Sequence, residues 1–146
     1  QGQALLYEAG CALAAGRHTE AIAMSLRAIE RFMAGNEWTS VVNTLDFLPS
    51  PVDRIDPVET VALIATIERL HLELGQTGAP HLLAVRERLA VDLRHRLGDA
   101  TFDAAWVAGS GRTAADVVDR LRWLVDANAT PDTTSPPSTR TGPDSE

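Results

Sequence analysis

The apolar residues of this chain recur at helical spacing, in successive segments that each end at glycine or proline. In the clearest segment, four apolar residues are spaced by four, three and four positions, which places them on one helical face. These residues are Ile22, Leu26, Ile29 and Met33. No segment shows the sustained alternation of a strand. The pattern therefore predicts an all-α fold.

About seven helices are predicted, with stops at the glycines and a proline-rich connection over 48–56. The predicted helices cover 4–15, 19–33, 37–47, 57–74, 80–97, a short segment around 102–106, and the segment that follows the cap at Thr113. The helix at 57–74 has only a narrow polar stripe. We therefore expect it to be a central helix covered on two sides.

The last eighteen residues differ in composition from the rest. Residues 129–146 hold four of the eight prolines among Ser and Thr, with no aliphatic residue larger than alanine. Such a segment buries too little apolar surface to offset its ordering entropy. The sequence therefore predicts a folded domain over 1–128 and a disordered tail over 129–146, which as an alternative is a linker to a further domain.

Composition narrows the possible chemistry. The chain has 146 residues, which is the size of one domain, and its net charge is −7. All thirteen basic residues are Arg, so a P-loop lysine and a Schiff-base lysine are excluded. The acidic balance argues against direct binding of nucleic acid. With no membrane-length apolar run and no secretory signal, we expect a cytoplasmic protein that does not contact membranes.

The first two predicted helices carry small residues at repeat spacing. Ala9, Ala21 and Ala28 lie twelve and seven residues apart, and Gly16 turns the chain between the helices. This segment resembles a tetratricopeptide repeat, in which paired helices need small residues to approach closely. Trp38 follows Leu5 by 33 residues, close to the period of that repeat. The alternative is an ordinary helical hairpin.

The second half carries a more specific pattern. A helix ends in Leu-Gly at Gly98, followed by Phe102, Trp106, Gly109 and a cap at Thr113. Residues 68–119 resemble the C-terminal end of bacterial LuxR-type and cyclase-linked predicted ATPases. The resemblance implies a sensing or interaction module, built as a tetratricopeptide-like antiparallel array, that binds a protein partner or an upstream ATPase or regulator domain. Any catalytic domain would then precede Gln1. From the residues themselves we expect no cofactor and no metal.

Two sets of polar residues have both a functional and a structural interpretation. Gly109, Gly111 and Arg112 precede a helix N-terminus, where exposed amides and a guanidinium can hold an anion. The alternative is a flexible turn ending in a helix cap. Four arginines on the helix at 80–97 resemble a phosphate patch, but interleaved acids favour a salt-bridged, solvated face. They are Arg86, Arg88, Arg94 and Arg96.

We expect structural roles for the histidines, the single cysteine and the tryptophans. The four histidines have no helical pairing for a metal, and Cys11 is expected to be a small buried residue. Trp38, Trp106 and Trp123 are expected to be packing anchors, with an aromatic binding groove as the alternative. Trp106 is expected to fill the gap between the helix at 80–97 and the last helix.

Three functional hypotheses follow. The first is a non-catalytic interaction or sensing module of a bacterial signal-transduction ATPase or transcription regulator. The second is a stand-alone helical protein that binds a small ligand, or an enzyme with an unrecognised site. The third is a folding unit with no separable activity. An enzyme is disfavoured, because no nucleophile–base pair, carboxylate pair or metal constellation stands out.

Overall fold

The computed structural model describes residues 2–129, and every regular element in that range is a helix. The helices are α1 (Gly2–Ala14), α2 (His18–Ala34), α3 (Trp38–Leu45), α4 (Pro49–Asp53), α5 (Pro57–Glu73), α6 (Pro80–Leu97), α7 (Asp99–Ser110) and α8 (Ala114–Ala127). The all-α prediction is confirmed. The predicted disordered tail, beyond its first residue, lies outside the described residues.

The described residues form eight helices, one more than predicted. Helix α4 occupies the segment expected to be a proline-rich connection. Pro49 stands at the first helical position, where its missing N–H has no intrahelical partner to lose. The N–H of Val52 donates to the carbonyl of Leu48 at 3.0 Å, and Val52 is fully buried. Proline in a first turn can therefore start a helix as well as end one.

The predicted helix stop at Gly75 is confirmed. Gly75 has a φ of +67°, and it ends α5 in a Schellman motif. Its N–H donates to the carbonyl of Leu72 at 3.0 Å, and the N–H of Gln76 donates to that of His71 at 2.9 Å. Two carbonyls of the last turn are thereby satisfied, and the chain turns towards α6.

Helix α5 is the central helix, as its narrow polar stripe predicts. Every residue from 59 to 67 is buried. Helices α3, α4, α6, α7 and α8 all contact it. A helix covered from several directions must be apolar around most of its circumference.

Two apolar clusters lie around α5. The larger joins α1, α2, α3, α4, α5 and α8. The smaller consists of Val61, Ile64, Leu93, Phe102 and Ala105, from α5, α6 and α7. Helix α8 therefore packs with the first cluster, largely against α2.

The predicted position of Trp106 between α6 and α8 is wrong. Its half-buried ring stacks on Phe102, with centroids 5.7 Å apart, and packs against the smaller cluster. Helix α7 lies against α5 and α6, whereas the apolar face of α8 turns to the other cluster. Periodicity identified the two apolar faces correctly but not which helix each one meets.

The small residues of the predicted signature lie where helices approach closely. Ala9, Ala21 and Ala28 are buried in the packed α1–α2 pair. A Cβ atom built on Gly109 would lie 2.0 Å from the carbonyl oxygen of Ala62, so the α5–α7 crossing requires a glycine. The tetratricopeptide-like detail of the array stays a prediction.

Helix α8 begins with a capping box that makes its stability depend on pH. The Thr113 hydroxyl accepts from the Asp116 N–H at 3.1 Å, and the Thr113 N–H donates to the Asp116 carboxylate at 2.8 Å. The backbone hydrogen bond from Thr113 lowers the pKa of Asp116. The carboxylate thus stabilises the fold above its unfolded-state pKa, about 3.9, and loses this effect as the pH falls through the lower folded-state pKa.

We expect Asp116→Asn to unfold at lower urea concentration than the unsubstituted protein at pH 7, because the charged acceptor at the helix N-terminus is lost. The difference in urea midpoint between the two proteins should become smaller as the pH falls from 5 towards 2. Asp126→Asn, at the opposite end of α8, is the control and should not destabilise, since an acid there opposes the helix dipole. A pH-independent deficit in Asp116→Asn would contradict the role of the charge.

Candidate functional site

Two residues of the candidate anion site, Gly109 and Arg112, make other contacts within the fold. Gly109 lies inside α7, buried against Ala62 of α5. The guanidinium of Arg112 forms an ion pair with Glu59, whose other carboxylate oxygen accepts from Arg120 at 3.0 Å. That hydrogen bond raises the pKa of Arg120. The positive charge expected to attract an anion is therefore neutralised by a buried carboxylate of the central helix.

A first groove lies where α2 and α5 end and α8 begins. Trp38 lines it and is 42% exposed, so its expected role as a core anchor is wrong. The space is about 380 Å³. Its apolar lining comes from Met33, Val41, Val42, Leu70, Leu74, Ala114 and Ala115. We call this site the Trp38 groove.

The polar edge of the Trp38 groove is fixed by Arg69 of α5. Its guanidinium pairs with Glu73 at 2.5 Å and also donates to the backbone carbonyl of Arg112. These bonds join the end of α5 to the turn that precedes α8. The groove is therefore formed by the ends of well-anchored helices.

A second groove, the Tyr7 groove, lies between α1, α2 and the segment around α4. Its volume is about 440 Å³. Tyr7 and Phe47 line it and are 77% and 51% exposed. Ser25 of α2 also lines it but is only 4% exposed. The hollow is therefore mainly apolar, with Ser25 as the one buried residue of its lining that carries a hydroxyl.

A buried ionic cluster lies beneath the loop between α5 and α6. Asp46 accepts from Arg86 at 2.9 Å and lies 2.9 and 3.0 Å from Nε2 of His71. All three side chains are at most 5% exposed. Gly78 covers them so closely that a Cβ there would lie 2.8 Å from the Asp46 carboxylate. The cluster is closed to solvent, and we assign it a structural role.

Sequence reasoning missed this cluster. Arg86 was expected on a solvated face but is 4% exposed, because Asp46, forty residues away along the chain, neutralises it. One signal was available: Arg86 precedes Leu89 by three residues and Leu93 by seven, which places it on the apolar face of α6. Arg96 does lie on the expected salt-bridged face, where it pairs with Asp92, one of the interleaved acids, at 2.8 Å.

Cys11 and Trp123 lie at the surface, contrary to expectation. Cys11 is exposed, so its predicted burial is wrong. Trp123 is 65% exposed and is not a packing anchor. Between Gly2 and Ala129 there is no group of three side chains suited to hold a metal ion. None of the helices in that range is long and apolar enough to cross a membrane.

No family model, no curated protein and no solved structure matches this chain. The resemblance to tetratricopeptide repeats and to ATPase-linked regulators therefore rests on the residues alone.

Proposed function

We propose that this protein is a non-catalytic helical-repeat module that binds a protein partner through the Trp38 groove. The observation that carries the proposal is a 42% exposed tryptophan beside an apolar hollow of about 380 Å³. Tryptophan is among the residues that contribute most to protein interfaces, especially near the centre of an interface where water is excluded.

The anchoring of the groove supports this role. Arg69 ties the end of α5 to the turn before α8, and the Thr113 capping box fixes the start of α8. A preformed groove loses little conformational entropy when a partner binds, so more of the contact energy appears as affinity.

The lining defines what such a partner presents. An apolar side chain would fill the hollow, and polar groups beside it would meet the Arg69–Glu73 pair at the edge. The net charge of −7 favours encounter with a neutral or basic partner. The resemblance supports a cytoplasmic setting, in which the partner is a separate protein or an ATPase or regulator domain of the same polypeptide.

Trp38→Ala should strongly weaken partner binding without unfolding the protein. The tagged full chain would be cross-linked in the organism that encodes it, and each recovered protein would then be titrated against purified variants. Loss of a tryptophan hot spot corresponds to about 2 kcal/mol or more, so we expect Kd to rise about thirtyfold or more.

Trp123→Ala is the matched control, since it removes an equally large exposed ring from another surface. We expect it to bind as the unsubstituted protein does, and both variants to keep the helical circular dichroism signal. Equal affinities for Trp38→Ala and Trp123→Ala would refute the Trp38 groove as the binding surface.

A further inference from the structure

We propose that the Tyr7 groove binds a small neutral molecule that has an aliphatic body and one hydrogen-bonding group, such as a medium-chain alcohol. This site is separate from the Trp38 groove, and the inference does not depend on the protein partner. Size, apolarity, absence of charge and the Ser25 hydroxyl inside the groove together define the ligand.

The size and apolarity of the Tyr7 groove are the first constraints on the ligand. A volume of about 440 Å³ lies within the range of small-molecule sites, roughly 300–1,000 Å³. The walls are mainly aliphatic and aromatic, from Leu6, Leu13, Ala21, Phe47, Leu48 and Pro51. Such walls favour a flexible hydrocarbon chain, which gains by leaving water.

The absence of charge in the lining is the next constraint on the ligand. None of the eleven residues that line the groove carries a charged side chain. A carboxylate or ammonium ion would lose its hydration there without gaining a partner of opposite charge, which is strongly unfavourable. The ligand is therefore neutral.

Ser25 supplies the polar contact inside the groove, because Gln3 and Tyr7, the other polar residues of the lining, are exposed. Its hydroxyl lines the groove, its residue is 4% exposed, and it forms no hydrogen bond with another residue between Gly2 and Ala129. Its oxygen is not among the buried polar atoms that lack a partner, so it is accessible from the groove. A ligand hydroxyl or carbonyl in the groove would provide a partner, because a serine hydroxyl both donates and accepts.

The groove can be filled without disturbing the fold. Gly10 of α1 lines it, and a Cβ atom there would meet nothing within 4 Å. Gly10→Leu therefore places a butyl group in the hollow, and it also removes a glycine from a helix interior. Ala14→Leu adds a similar group to α1 at an exposed position outside the groove, and it is the matched control.

The test uses the full chain and the neutral fluorophore N-phenyl-1-naphthylamine, displaced by 1-octanol, octanoate or octylammonium at pH 7. We expect 1-octanol to displace the fluorophore at concentrations at least tenfold below those of either ion. Ser25→Ala should raise the 1-octanol Kd about five- to tenfold, as for loss of one neutral hydrogen bond. Gly10→Leu should abolish binding, and Ala14→Leu should not change it.

Three results would overturn the proposal. They are failure of the fluorophore and 1-octanol to bind at millimolar concentration, equal displacement by octanoate, and unchanged binding in Gly10→Leu. Ser25→Ala is nearly isosteric and tests the polar contact even if Gly10→Leu is poorly folded. None of these outcomes bears on Trp38, so failure here leaves partner binding to be judged by its own variants.

Discussion

Replacing Gly109 by valine is expected to lower the free energy of unfolding by about 3 kcal/mol or more, as for severe overpacking of a well-packed interior. A Cβ at this position would lie 2.0 Å from the backbone oxygen of Ala62 and 2.6 Å from its Cα. Both atoms belong to the backbone of the central helix, so no side chain can rotate away. The two helices would have to separate.

Separation would also break a buried hydrogen bond. The hydroxyl of Thr66 donates to the carbonyl of Gly109 at 2.7 Å and lies 3.0 Å from that of Ala62. Thr66 is fully buried and keeps the Ala62 carbonyl as an acceptor, so the group that loses a donor is the carbonyl of Gly109. The overpacking and the lost bond act in the same direction.

Urea denaturation of Gly109→Val beside Gly10→Ala would measure the effect. A Cβ on Gly10 meets nothing, so Gly10→Ala should stabilise by about 0.4–1 kcal/mol. Hydrogen exchange should show α7 opening before α1 and α2 in Gly109→Val. If Gly109→Val unfolds at the same urea concentration as the unsubstituted protein, the close α5–α7 crossing is absent in solution.

The features predicted from sequence are those that local patterns determine. The glycine stop at Gly75, the cap at Thr113 and the central position of α5 each depend on residues within a few turns of one another. Helix α4 was missed because Pro49 and Pro51 were interpreted as the end of the preceding helix, although Pro57 and Pro80 were interpreted as helix starts. Pro49 stands at the first position of α4, where proline favours the start of a helix.

The features missed are those that join distant residues. Glu59 neutralises Arg112 from 53 positions away, and Asp46 neutralises Arg86 from 40. Helical periodicity shows which face of a helix is apolar, but it does not identify the helix that covers it. The exposed tryptophans and the two grooves were missed for the same reason, since each depends on how several helices meet.

Removing the carboxylate of the buried ionic cluster is expected to be as damaging as the change at Gly109. Asp46→Ala leaves the guanidinium of Arg86 buried without a counter-ion and removes the partner of His71 Nε2. In the folded protein, Nδ1 of His71 and Nε of Arg86 already have no partner among the described residues. Breaking a buried pair by deleting one member typically costs about 3–5 kcal/mol.

Asp92→Ala is the matched control, because it removes an aspartate from an exposed ion pair with Arg96. Such pairs contribute about 0–1 kcal/mol, so its urea midpoint should hardly move. Asp46→Ala and Arg86→Ala can be combined in a double-mutant cycle. The double variant should lose less stability than the sum of the two single losses, since it leaves no unpaired buried charge.

The damage from Asp46→Ala should concentrate in α6. Arg86 and Leu93 are the two buried residues among the eighteen of this helix, so loss of the ion pair leaves Leu93 as its main buried contact. Hydrogen exchange should therefore quicken in α6 while the α1–α2 pair stays protected. Equal urea midpoints for Asp46→Ala and Asp92→Ala would show that the cluster does not hold α6, and that Arg86 reaches solvent once Asp46 is gone.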